Sequence, residues 1–370
     1  MDNIVNYAEQ TLETFDELDF KTADSLILSW VSYFHWPKEL KSVYSWKGIK
    51  LKDLFRAEYF KELFWDVYDQ EDTKRLFVAL VSSPRYRNAI VKGFVERWDK
   101  DKDKEKQFSA ISFQLNEHES YVAFRGTDSS LAGWKENFNM AFQYPVPSQE
   151  DAKKYLDKAA KHLTGNIRVG GHSKGGNLAI YAAANVDEEY KSRIAKVYSH
   201  DGPGFLEMAL KSQNFASISN RIEKTLPQSS LVGMLLENCG EMKVLKSDRF
   251  GIWQHDPFSW MIKDKDFIYI KAITPSARYL DRTLNMWVRS MSEQDRERFV
   301  NSLYSLIDVD NVNILPQSQE EWQKSLPVVV NSATKLDKDT KNFLTKAVKS
   351  LLHLGVKNLK VVVYYLRYVI

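Results

Sequence analysis

An α/β protein with a mostly parallel central sheet flanked by helices is what this sequence predicts, and three observations predict it. Apolar and polar residues alternate over two runs near residues 108–124, the pattern of half-buried strands. From there to about residue 250, short apolar runs alternate with stretches of helical spacing, as parallel βαβ units require. A glycine-rich turn at 170–176 sits between one such strand and one such helix.

Taken in chain order, Thr22 and Asp24 precede Leu26, Ile27, Trp30, Val31 and Phe34, a capping signal ahead of apolar residues at helical spacing. The stretch Leu51 to Leu80 is helical in character with weak boundaries. Phe108 to Phe113 and Tyr121 to Phe124, joined by the polar Asn116 to Ser120, read as a β-hairpin entering the sheet. Pro147 and Ser148 open a helix through Leu163, with Asp151 three residues after Ser148 as a variant capping box and Gly165 as its stop. Ile167 to Val169 form a strand, Leu178 to Ala184 a helix, and Ile194 to Tyr198 a further strand ending in Asp201-Gly202-Pro203-Gly204. Lys243 to Leu245 are strand-like. Beyond about 280 the reading is helical, as in Ser292 to Ile307 and Thr340 to Leu354. The expected division is a main domain over 1–280 that includes an N-terminal helical segment, and a C-terminal helical extension over 281–370.

Composition narrows the function. With 44% hydrophobic and 27% charged residues the 370-residue chain has ample material for a buried core. Its 52 basic and 49 acidic residues, a net charge of +3, make no field suited to nucleic acid. The run Lys100 to Lys106 alternates in sign and reads as a solvated loop. Cys239 is the sole cysteine, so no internal disulfide forms, and the acidic first twenty residues are unlike a secretory signal. A cytoplasmic location is expected. Val361 to Ile370 falls far short of the roughly 20 residues that span a bilayer, so we expect a terminal packing element and no transmembrane segment. Nothing calls for a metal or a cofactor.

The chemistry is concentrated in Val169-Gly170-Gly171-His172-Ser173-Lys174-Gly175-Gly176-Asn177, which sets a serine between glycines at minus two and plus two. This is the nucleophile-elbow pattern of the α/β-hydrolase fold. A serine on a sharp strand-to-helix turn brings the two backbones together, and a side chain at Gly171 or Gly175 would obstruct that approach. The turn also aims the Lys174 backbone N–H at a reacting carbonyl oxygen, with the positive end of a helix beneath it; the Lys174 side chain is not required. Glycine-rich turns also bind phosphate, but neither a Walker lysine-serine ending nor dinucleotide spacing is present.

A serine hydroxyl needs a base, which in this fold follows the nucleophile in the order serine, acid, histidine. Three histidines qualify. His200 ends a strand beside Asp201 but points away from it, and His353 lies among leucines of an amphipathic helix, so both read as packing or surface residues. His255, in a loop before Asp256-Pro257, is the expected base. For the orienting acid, Asp201 combines a strand end, a tight turn and the correct order; Asp256 reads as a helix cap and Asp248 as a surface charge. The second oxyanion donor is expected from the Thr127 backbone N–H, in the Phe124-Arg125-Gly126-Thr127-Asp128 segment, with Arg125 and Asp128 bracing the loop as an ion pair.

These residues resemble those of class 3 lipases, in which a strand ending in Phe-Arg-Gly-Ser/Thr precedes a Gly-His-Ser-X-Gly elbow; here they stand at Phe124 to Thr127 and Gly171 to Gly175. The resemblance is closest to a bacterial lipase-like family of unassigned function. It extends over Asn3 to Tyr7, Gly133 to Glu136, Gly171 to Ala179, Asp201 to Phe205 and Gln254 to Asp256. It implies an α/β-hydrolase fold and a triad with Ser173 and His255, acting on a small-molecule or lipid-like acyl ester. One departure stands out: where class 3 lipases carry their acid in Asp-X-Val-Pro, this chain reads Lys224-Thr225-Leu226-Pro227. The acid is therefore moved to Asp201 or absent. In the second case the chain is a binding or regulatory module that has lost turnover. The C-terminal helices are compatible with a cover over the site, a homo-oligomer contact or an extension of the core.

Overall fold

The computed structural model describes residues 2–99, 106–127, 136, 139–308 and 336–369. Residues 100–105 of the alternating-charge run, Asp128 and Gly133 to Lys135 lie outside the described residues, as do the side chains of the apolar end from Val361.

Among the described residues the main sheet has nine strands: β1 (Ile49–Lys50), β2 (Ile90–Asp99), β3 (Lys106–Gln114), β4 (Glu119–Phe124), β5 (Asn166–His172), β6 (Ile194–His200), β7 (Ile222–Pro227), β8 (Glu241–Leu245) and β11 (Tyr269–Ile270). They lie side by side in that order, while β9 (Ile262–Lys263) and β10 (Asp266–Phe267) form a separate two-stranded ribbon. Pairing is antiparallel from β1 to β4 and again at β8 with β11, and parallel from β4 to β8. The sheet is thus evenly mixed, a correction to the mostly parallel expectation. Four residues join β3 to β4, a link that suits antiparallel neighbours, whereas the helical crossovers needed for parallel pairing begin only after β4.

Alternation along β3 and β4 assigns their side chains to two cores. Ile111, Phe113, Tyr121 and Ala123 face one way, into a cluster built with α1 (Ile4–Gln10), α2 (Thr22–Val31) and α3 (Gln70–Ser82). Phe108, Ala110, Val122 and Phe124 face the other, against α4 (Pro147–His162) and α5 (Lys174–Asn185). Helices cover both faces, so the architecture is α/β. The first core is anchored by buried Asp24, which accepts from the Arg85 guanidinium at 2.6 and 2.7 Å and from the Tyr7 and Tyr86 hydroxyls.

The cap of α4 differs from expectation. Gln149, rather than Asp151, supplies the returning side chain and accepts the Val146 N–H at 3.0 Å, while the Ser148 N–H goes to Glu136 Oε1 at 2.8 Å. With Pro147 at the first helical position the N-cap is Val146, two residues before Ser148.

At the C-terminal end, α6 (Pro275–Ser290) runs through the expected division at 280, and α7 (Glu293–Asp308) and α8 (Lys338–Val369) follow. The Trp287 indole donates to Ala347 O at 2.9 Å and the Tyr279 hydroxyl to Gly355 O at 2.7 Å, binding α6 to α8. Among the described residues no helix is long and apolar enough to cross a membrane.

Candidate active site

Ser173 is the hinge between β5 and α5, with φ 57° and ψ −132°. A non-glycine residue held there carries about 1–3 kcal/mol of backbone strain, which persists only where the surroundings over-determine it. They do. The Ser173 N–H donates to His200 O at 2.9 Å, and Ser173 O accepts from the Gly176 N–H at 2.9 Å. A Cβ on Gly171 would lie 2.2 Å from Gly175 C, and one on Gly175 would lie 2.1 Å from Phe124 O. Because both obstacles are backbone, Gly175→Ala is expected to cost about 2–3 kcal/mol of stability, read as a lowered urea midpoint with unchanged slope.

The Lys174 side chain turns inward. Its ammonium, fully buried, donates to Glu136 Oε2 at 3.0 Å and to Gln107 O at 2.9 Å. Since Glu136 also receives the Ser148 N–H, one buried carboxylate ties the start of α5 to the start of α4. The first N–H groups of α5 have no intrahelical acceptor and concentrate positive potential beside Ser173.

Asp201 follows β6 directly, and its carboxylate is fully committed. Oδ2 accepts His255 Nδ1–H at 2.6 Å; Oδ1 accepts from the Ser230 hydroxyl and, at 3.2 Å, from the Gly233 N–H. A side chain at position 233 would reach within 2.3 Å of Oδ1, so glycine is required for that contact. The Asp201 N–H donates to Thr225 O at 2.8 Å, fixing the carboxylate to β7. With Nδ1 donating, the assigned tautomer of neutral His255 leaves the Nε2 lone pair available.

The histidine beside Ser173 holds the loop that carries His255. His172 Nε2–H donates to His255 O at 2.9 Å, and the two rings lie 4.6 Å apart. The Tyr33 hydroxyl lies 3.2 Å from His172 Nδ1, in place to donate to it. Burial, then the nearby His255, pushes the His172 imidazole well below its ordinary pKa, so it acts as a neutral clamp.

The loop after β4 abuts this turn. A Cβ on Gly126 would lie 2.6 Å from His172 O and 3.0 Å from Ser173 Cβ, and half-buried Thr127 comes next. Asp128, the other half of the expected brace, lies outside the described residues; Arg125 donates to Glu96 Oε1 at 2.5 Å, Ser32 O at 2.6 Å and Phe34 O at 3.1 Å. The guanidinium reaches under the sheet to β2 because it is buried and must fill its donors locally.

The remaining residues stand apart. His200 is buried, bonded to Ser25 Oγ and Thr225 Oγ1 at 2.8 Å each. His353 is exposed on α8, and Asp248 is exposed. Asp256 caps the Pro257–Ser259 turn through the Phe258 N–H at 3.0 Å and pairs with Arg249 at 2.5 Å; burial raises its pKa to about 6. Burial lowers the His200 pKa to about 3. Its folded value lies below its unfolded value of about 6.5, so its stabilising contribution is present above about pH 6.5 and is lost as pH falls toward 3. Urea unfolding at about pH 7 and about pH 4.5 should therefore differ by about 3 kcal/mol on its account, and His200→Gln should flatten that dependence.

Sequence reasoning missed His172, Tyr33, Ser230, Gly233 and Glu136. Of these, His172 carried a local signal, its place in the elbow, and Glu136 ends one of the segments that carry the family resemblance. Among the described residues no cluster of His, Cys, Asp or Glu is suited to a metal ion.

The Mbeg1-like family model matches this chain over residues 80–305. Among solved structures, the chain is similar to the Rhizomucor miehei lipase propeptide complex. A deletion mutant of it matches at 15% identity over 61% of this chain and 67% of that one, with a TM-score of 0.37. The native complex matches at 16% identity over 67% and 82%, with a TM-score of 0.34. M37 lipase matches at 16% identity over 58% and 70%, again with a TM-score of 0.34. No curated protein matches.

Proposed function

The chain belongs to the Mbeg1-like family, and from that premise we propose that it is a serine hydrolase of the α/β-hydrolase type, cleaving a carboxylic ester through an acyl-enzyme on Ser173. The observation that carries the reading is the 2.6 Å Asp201–His255 hydrogen bond, on a loop that His172 clamps beside the strained Ser173.

In this mechanism His255 Nε2 takes the Ser173 proton as Oγ attacks the ester carbonyl, and Asp201 stabilises the imidazolium that forms. The Lys174 and Thr127 backbone N–H groups receive the developing oxyanion. His255 then protonates the leaving alcohol, and a water activated by the same ring releases the acid. The catalytic unit is residues 1–280, with 281–370 as its helical extension. The substrate is an acyl ester, small or lipid-like.

A series of p-nitrophenyl esters of increasing chain length tests this reading. Burst release of nitrophenol, with an acyl adduct on the Ser173 peptide by mass spectrometry, is the expected result. Steady background hydrolysis with no adduct would instead support a binding module.

A further inference from the structure

Helix α8 has a charge balance unlike the rest of the chain. Between Lys338 and Val369 the sequence holds seven basic residues and a single acid, Asp339. That surplus of six exceeds the +3 of the whole chain, which leaves the remainder net acidic by three. Within α8, bases recur at 346, 349, 357, 360 and 367, spacings of three, four and their sums that fall on one side of a helix.

The described part of α8 divides into faces. One is used by the fold: Ala347 and Gly355 receive hydrogen bonds from α6, and the Arg298 guanidinium lies over the Phe343 ring at 4.6 Å. Another presents Val348 and Leu352, one turn apart, 47% and 64% exposed. Lys349 borders that stripe on the side away from α6, with Lys346 beyond it, and both are exposed. An apolar stripe with lysines along one side is therefore left uncovered by the helices that hold α8 in place.

Charge complementarity selects what covers it. A second copy of this chain would bring an equally basic face with it. Nucleic acid would answer the lysines but leave the apolar stripe wet. An anionic bilayer answers both, with headgroup phosphates against the lysines and the acyl boundary against the apolar side chains. We propose that α8 docks this protein on an anionic lipid surface, lying in the plane of the interface. This proposal stands independently of the hydrolase reading.

Cosedimentation of the full chain with phosphatidylcholine vesicles, with and without phosphatidylglycerol, tests it. The expected result is binding to the phosphatidylglycerol vesicles alone, released at high salt. Each neutralised lysine should weaken partitioning about fivefold, so the combined Lys346→Gln, Lys349→Gln, Lys357→Gln and Lys360→Gln variant should lose on the order of several hundredfold. Leu352→Asp should weaken it too. Lys346, Lys349 and Leu352 are exposed, so their substitution should leave the thermal midpoint unchanged. Three results would overturn the proposal: no binding to either vesicle, equal binding to both, or binding that survives the lysine substitutions. Sedimentation as a dimer that Leu352→Asp dissociates, without vesicle binding, would assign the face to a second copy instead.

Discussion

Ser173→Ala is expected to lower ester hydrolysis on the order of 10⁶-fold in kcat while leaving the urea midpoint within about 1 kcal/mol of the parent. The size of the first effect follows from covalent catalysis: without Oγ there is no acyl-enzyme, and the imidazole, however well placed, has no proton to take. The small second effect follows from the local structure. Ser173 holds its strained backbone through its own N–H and C=O, which bond to His200 O and the Gly176 N–H and survive the substitution. Parallel kinetic and denaturation measurements separate lost chemistry from a damaged elbow. The contrast with Gly175→Ala is informative, since that change disturbs the turn by pressing on Phe124 O while leaving the hydroxyl in place.

Asp201→Asn is expected to lower kcat about 10⁴-fold with a folded protein. The reason is a proton count. The carboxylate accepts three hydrogen bonds, from His255 Nδ1, the Ser230 hydroxyl and the Gly233 N–H. An asparagine amide is able to meet that set only by aiming its oxygen at Ser230 and Gly233 and its NH₂ at His255. Nδ1 then becomes the acceptor, the ring proton moves to Nε2, and the nitrogen that the proposed mechanism uses as base no longer accepts a proton. If the amide flips instead, an N–H collides with two donors. Either way kcat falls, and a ring-proton NMR spectrum showing the proton on Nε2 would identify the first outcome.

Much of this arrangement is legible in the sequence, for reasons that differ by residue. The elbow is local: glycines two residues either side of a serine, between an apolar run and a helical one, leave few other geometries. The hairpin of β3 and β4 is legible because each strand is buried on both faces and so reads as a short apolar run, the two runs parted by the polar Asn116 to Ser120. The neighbouring β2 is not. Its pairing shifts register between Lys92 and Val95, and Gly93, at φ 68°, admits the Trp46 ring, so the alternation breaks where it would have been read. That missing strand is why the sheet reads as mostly parallel. The contact between Asp201 and His255 spans 54 residues, and chain order alone suggests it. Ser230 and Gly233, which complete the carboxylate's partners, lie in a loop without periodicity and take their meaning from contacts that only the folded chain creates. The Lys224 to Pro227 departure also becomes intelligible: β7 lends backbone rather than an acid, through Thr225 O to the Asp201 N–H.

The measurement that bears most directly on the central claim is covalent labelling of the native protein with a fluorophosphonate, followed by peptide mapping. An activated hydroxyl at the sheet rim predicts a stoichiometric adduct on Ser173 that is absent from Ser173→Ala and strongly slowed in His255→Ala and Asp201→Asn. A native, folded chain that takes up no probe, or that carries it on a different residue at the same rate in all three variants, would contradict the account.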